Sequence, residues 1–114
     1  MIVTYNGAGF DVPFLQTRMA VARMEAVKPF EHVDLLEPAR ECFSDVLPNC
    51  RLETVERHLR GSSRTGDIAG RDIPEAYHEF VRTGDARDIG RILYHNRMDL
   101  LAMAYLVNHL ADRL

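Results

Sequence analysis

One short β-favouring run stands at the head of a chain whose remaining pattern is almost wholly helical, and that imbalance limits what it can fold into. Ile2-Val3-Thr4-Tyr5 is apolar and β-prone enough to be a buried strand, and Asn6-Gly7 ends it. A strand this apolar expects neighbours on both sides, because parallel-type strands are covered on each face and paired along each edge. Only His32-Val33-Asp34-Leu35-Leu36 offers a second extended run. The chain therefore reads as the later part of a larger α/β unit, or as a domain that completes its sheet with another chain.

Helices occupy the rest. Asp11 stands where an N-cap would, with Pro13 in the first turn and Phe14, Leu15, Met19 and Ala22 at helical spacing. Pro29 closes that strand–loop–helix unit. Pro38 opens another helix, and Leu47-Pro48-Asn49 forms a turn in which Asn49 can cap the next. Leu52, Val55 and Leu59 make an apolar stripe that ends at Gly61. Residues 62–71 read as a loop. Asp72-Ile73-Pro74-Glu75 has the form of a capping box, opening a helix through Tyr77, Phe80 and Val81 to Gly84. Asp85 and Asp88 open the last helix, whose apolar face runs through Ile89, Ile92, Leu93, Leu100, Met103, Val107 and Leu110.

At 114 residues the chain fits one domain that can bury a core without disulfides or a structural metal. Its uncharged stretches are too short to span a bilayer, and its first residues lack a secretion signal, so the cytoplasm is the expected location. Cys42 and Cys50 are not in C-x-x-C spacing and read as reduced packing or surface residues. The five histidines form no H-E-x-x-H or H-x-H pattern, which argues against zinc. A net charge of −3 gives no global attraction for nucleic acid. Locally, though, Arg57, Arg60, Arg64 and Arg71 face the single acid Asp67, a segment that reads equally as a phosphate-binding surface or a solvated loop.

Two carboxylates carry the chemical interest. Asp11 follows Asn6-Gly7-Ala8-Gly9-Phe10 at a strand-to-helix turn, where the glycines permit close approach of a ligand but also suit any tight turn. Asp99 lies one helical turn after His95, so both project from roughly one face. Leu100 and Met103 put Asp99 near the core boundary, where a carboxylate needs a partner. A divalent cation would serve, and so would an arginine such as Arg91 or Arg97.

Taken together and in this order, the two segments resemble a known family. Asn-x-x-x-Phe-Asp at residues 6–11, after Val-Thr-Tyr, is similar to the second motif of the DEDD superfamily of 3′–5′ exonucleases. Tyr94-His95-Asn96-x-x-Asp99 is similar to the third. The likeness is greatest to the YprB-type ribonuclease H-like branch. It extends through His32 to Leu36, Leu47-Pro48-Asn49-Cys50-Arg51-Leu52, Thr65-Gly66-Asp67-Ile68 and Ile73-Pro74-Glu75-Ala76-Tyr77.

The resemblance implies an incomplete ribonuclease H-like α/β fold, with one or two parallel strands and four to five helices. It also implies a metal-dependent phosphodiesterase in which Asp11 and Asp99 ligate Mg²⁺ or Mn²⁺ ions about 4 Å apart. His95 would act as general base or orient the water. Asn6 and Phe10 would contact a single strand or strand end, with Arg57, Arg60 and Arg64 meeting phosphates. The family's first motif, Asp-x-Glu, has no counterpart in these residues, which implies weak metal binding and no activity for this chain alone. The histidine also stands at the spacing the superfamily usually gives to tyrosine. The other reading is a non-catalytic module that binds nucleic acid or protein. In either case the open sheet edge could support a homodimer or association with another chain.

Overall fold

The computed structural model describes residues 1–25 and 31–114, so the closing role expected of Pro29 lies outside the described residues. Strand β1 (Ile2–Thr4) leads through a tight loop to α1 (Asp11–Val21). Strand β2 (His32–Asp34) then lies beside β1, followed by α2 (Leu36–Phe43), α3 (Leu52–Arg60), α4 (Ile73–Thr83) and the long α5 (Ile89–Leu110). The strands run parallel with Ile2 opposite His32, Val3 opposite Val33 and Thr4 opposite Asp34. Among the described residues, two parallel strands and five α-helices make up the incomplete ribonuclease H-like α/β architecture expected from the sequence.

The core is small and sits to one side. Leu35, Ala39 and Phe43 from the β2–α2 segment pack with Val55 of α3 and with Leu106 and Leu110 of α5. By contrast, α1 and α4 have no fully buried residue. Val3 and Val33 reach the core only as half-buried neighbours. The radius of gyration is 16.1 Å, whereas about 13 Å is usual for a compact domain of this length. The sheet and α1 thus form an open flank rather than a closed layer.

The loop that delivers Asp11 is held by a carboxylate from the neighbouring strand. Asp34 accepts hydrogen bonds from the backbone N–H of Asn6 (2.7 Å), Ala8 (2.9 Å) and Leu36 (3.1 Å). Asn6 takes a left-handed backbone (φ 63°), which asparagine tolerates better than most residues. Gly7 is buried so close to Thr4 that an added Cβ would sit 2.4 Å from the Thr4 Cβ. The Gly7 carbonyl then accepts the N–H of Val12 at 2.9 Å.

This arrangement corrects the cap assigned to Asp11. Phe10 is the N-cap, Asp11 is the first helical residue, and no side chain caps α1. The amides of Asn6, Ala8, Phe10 and Val12 find their acceptors in Asp34 and the Gly7 carbonyl, and the Asp11 side chain makes no cap bond. The other cap expectations divide. Gly61 and Gly84 end α3 and α4 in the left-handed region, as the sequence predicts. Asp72 caps α4 by position but makes no side-chain cap bond, because a short 3₁₀ turn leads into that helix. Asn49 acts from two residues before the N-cap Arg51, accepting from the Arg51 N–H and the Thr54 hydroxyl.

Burial would by itself raise the pKa of Asp34, but the amides of Ala8, Leu36 and Asn6 stabilise its charged form and hold it below the usual carboxylate range. The folded pKa is therefore lower than the unfolded one. The stabilisation is complete above about pH 4 and fades as the pH falls through the lower folded value. Asp34→Ala is expected to cost about 2–3 kcal/mol in a urea melt at pH 7, with the difference from wild type shrinking on acidification. A pH-independent difference would contradict this role.

Candidate functional site

The strand ends, the start of α3 and the middle of α5 enclose three adjoining depressions with Leu52 as their common wall. The first, about 360 Å³, is bounded by Thr4 and Tyr5 at the end of β1, by Asp11, and by Asn96, Asp99 and Leu100 of α5. Asp11 and Asp99, far apart in sequence, therefore line one cavity. Asp11 is exposed and Asp99 half-buried. The second, about 450 Å³, continues past Asp99 to His95, Gly70, Arg71 and Arg51. The third, about 490 Å³, runs from Arg51 to Asn49, Arg40, Asn6 and Tyr5. The Tyr5 hydroxyl donates to the Cys50 carbonyl at 2.6 Å, and burial pushes its pKa up to about 12.

Behind Asp99 lies an ionic cluster centred on Arg64, whose side chain is only 3% exposed. Its Nε donates to Glu56 Oε2 at 2.6 Å, and its Nη1 to Asp67 Oδ2 at 3.1 Å. Its Nη2 lies 2.8 Å from Asp99 Oδ1, poised as an ion pair more than a directed hydrogen bond. Burial alone would lower the Arg64 pKa, but the bonds to Glu56, Asp99 and Asp67 outweigh it and hold the guanidinium above its ordinary value. His95 closes the ring. Its Nδ1 is 3.0 Å from both Asp67 oxygens, and its Nε2 is 3.3 Å from Asp99 Oδ2. Each ring nitrogen thus faces a carboxylate, which fixes the orientation of the imidazole.

The arginine partner foreseen for Asp99 is present, but it is Arg64 and not Arg91 or Arg97. Arg91 instead pairs with Asp88 at 3.1 Å. Of the arginines expected at phosphates, Arg64 borders the second depression, but its side chain is buried and its guanidinium is taken up by Glu56, Asp67 and Asp99. Arg60 pairs with Glu56 at 2.7 Å and lies 5.2 Å from the Tyr105 ring centroid. Arg57 is exposed on α3 and lines none of the three depressions. Asn6 reaches the third depression. Phe10 is 69% exposed and stacks on Phe14 with ring centroids 6.5 Å apart.

Sequence reasoning missed Glu56, Asp67 and Asp34 as organisers. Glu56 is 3% exposed, an acid four residues after Leu52 and three before Leu59, on the same face as the apolar stripe. The available signal was its pairing with Arg60 at i, i+4 together with a second arginine nearby. Asp67 lies in the Thr65-Gly66-Asp67-Ile68 segment, whose pattern by itself assigns it no role.

The fit to a divalent cation can be judged from the donors. Among the described residues, no group of three or more histidine, cysteine or acidic side chains is arranged to hold a metal ion. Asp67 and Asp99 are gathered around the Arg64 guanidinium, and Asp11 is the remaining carboxylate of the cavity. Mg²⁺ sites need several oxygens in near-octahedral array, so these residues by themselves do not fit one. Among the described residues, no helix is long and apolar enough to cross a membrane.

Removing Arg64 leaves the buried Glu56 with Arg60 as its one remaining cation and takes from Asp67 and Asp99 the guanidinium they share. Arg64→Ala is expected to lower stability by about 3–5 kcal/mol by chemical denaturation, far more than the exposed Arg82→Ala, whose pair with Glu79 is solvated. Equal small effects would contradict the central position of Arg64.

Comparison with known proteins agrees with this geometry. A family model described as the RNase_H superfamily matches residues 1–111. The chain is also 32% identical, over 115 aligned residues, to the uncharacterized protein YprB of Bacillus subtilis (strain 168). That alignment takes in 99% of this chain and 28% of YprB, so the chain spans little more than a quarter of that relative's length. No solved structure matches. With a parallel strand pair, carboxylates from β1–α1 and α5 in one cavity, and a family match over nearly its whole length, the chain belongs to the ribonuclease H superfamily.

Proposed function

We propose that this chain is part of a nuclease-type domain of the 3′–5′ exonuclease-like kind, handling single-stranded nucleic acid or strand ends. By themselves, these residues bind the strand without hydrolysing it. The observation that carries the reading is the cavity shared by Asp11 and Asp99, which sits at the end of a parallel strand, where α/β folds commonly gather ligands. The superfamily generally uses divalent metals, and the carboxylates of such a centre would come from positions 11 and 99 together with donors these residues do not supply.

Within this chain, the division of labour follows from the contacts. Arg64 fixes one oxygen of Asp99, and His95 faces the other. Asp67 orients His95 through Nδ1, so Nε2 is the nitrogen turned toward Asp99 and the neighbouring open space. The exposed Phe10 ring offers a stacking surface for an unpaired base near Asp11.

The purified chain, given Mn²⁺ and a labelled single strand, is expected to shift the strand in a salt-dependent manner and leave its length unchanged. Robust digestion abolished by Asp11→Ala would overturn the claim of inactivity. Absence of binding at low salt would overturn the nucleic-acid reading. A second reading, association through the open flank, is favoured by the exposure of Phe14 (63%), Val21 (67%) and Met24 (60%) around α1. Sedimentation equilibrium is expected to show self-association at high concentration, and a clean monomer would remove that reading.

A further inference from the structure

Which side chain meets the phosphate backbone is a separate question, and the expected arginines do not answer it. Arg64 is enclosed by acids, Arg60 is paired with Glu56, and Arg57 lies off the depressions. Arg40 is paired with Glu37 at 2.6 Å, and Arg71 lies 3.7 Å from Asp72.

Arg51 differs from all of these. It lines both of the larger depressions, about 490 and 450 Å³, and so stands at their junction. Its guanidinium has no carboxylate partner among the described residues, and the residue is exposed. Its backbone, by contrast, is fixed. The N–H donates to Asn49 Oδ1 at 3.1 Å, and the same oxygen accepts the Thr54 hydroxyl at 2.8 Å. Its carbonyl accepts from the N–H groups of Thr54 (2.9 Å) and Val55 (3.0 Å), and Val55 is a core residue. Leu52, the next residue, walls all three depressions, including the one that holds Asp11 and Asp99. A cation with free donors is thus carried on a rigid turn beside the acidic cavity. The acids sharing these walls are Glu53 and Asp99, and Asp99 is paired with Arg64.

We infer that Arg51 is the phosphate-binding residue of a trough that runs over Leu52 toward Asp11 and Asp99, and that its ligand is the backbone of a single-stranded nucleic acid. A phosphodiester fits the planar fork of a guanidinium, and the Asp11–Asp99 cavity next to it would receive the adjoining nucleotide. Arg40 and Arg71 also line the trough, one in each of the two larger depressions, each beside its own acid, so Arg51 is the cation there without a carboxylate partner among the described residues. The inference rests on the nucleic-acid reading above and names the contact that reading leaves open.

Fluorescence anisotropy with a labelled single-stranded oligonucleotide, without added metal, tests it in the whole chain. Arg51 is exposed, so Arg51→Gln is expected to fold as wild type does, which circular dichroism checks. Loss of one phosphate contact is expected to weaken binding about tenfold at 50 mM salt and to lower the log–log salt slope by about one. Arg18→Gln, on the far end of α1, serves as the control and is expected to bind within about twofold of wild type. Wild-type binding unchanged by Arg51→Gln would overturn the inference while leaving the nucleic-acid reading intact. Equal losses in both variants would overturn it in favour of a diffuse charge effect. No binding by the wild type at low salt would overturn both.

Discussion

The buried guanidinium of Arg64 is the interaction on which the site depends. It comes from the loop after α3, yet it binds a carboxylate of α3, one of its own loop and one of α5. Taking these charges out of water is costly, and a buried ion pair often adds little net stability over an apolar replacement. Its contribution is therefore geometric. With Glu56 and Arg64 each only 3% exposed, neither can turn to solvent, and α5 is held against α3 at the height of Asp99. Asp67 passes the constraint to His95, so the imidazole and the carboxylate one turn below it are fixed by a common anchor.

A second carboxylate does the same for the opposite wall. Asp34 gathers three backbone amides, two of them from the loop that brings Asp11 to the cavity. The parallel register puts Asp34 opposite Thr4, beside the point where that loop leaves β1. The cavity thus has one wall set by an arginine among acids and the other by an acid among amides. The fully buried core lies to the side among α2, α3 and α5 and reaches the cavity only through Val3, Tyr5 and Met103, which pack against it and line the cavity.

Much of this order is legible in the sequence, and the limits have physical causes. The strand–loop–helix start, the glycine stops of α3 and α4, and the long final helix follow from local rules, because turn residues and helix periodicity act over a few positions. The apolar face of α5 was read only in part. Leu93 and Leu100 are exposed at 64% and 59%, whereas Ala102 and Leu106 are buried. The second half of that helix is apolar on several sides, so periodicity alone could not choose the face that packs. Asp11 and Asp99 were recognisable from their motifs. Arg64 was visible only as a member of a basic segment. Whether an arginine meets phosphate or carboxylate depends on which helix lies opposite, which is a tertiary fact. Asp34 and Glu56 stayed hidden for the same reason.

The open flank and the ionic cluster are two sides of one design. The described residues bury a core on the α3–α5 side and leave β1, β2 and α1 half covered, yet the Asp99 wall is already rigid. Preorganisation of that wall without help from the flank is the central claim. A double-mutant cycle between Glu56→Gln and Arg64→Gln in the purified chain tests it most directly. A coupling energy of about 2–3 kcal/mol in stability is expected for groups that share one buried contact. Additivity within about 0.5 kcal/mol would show that Arg64 does not anchor the site.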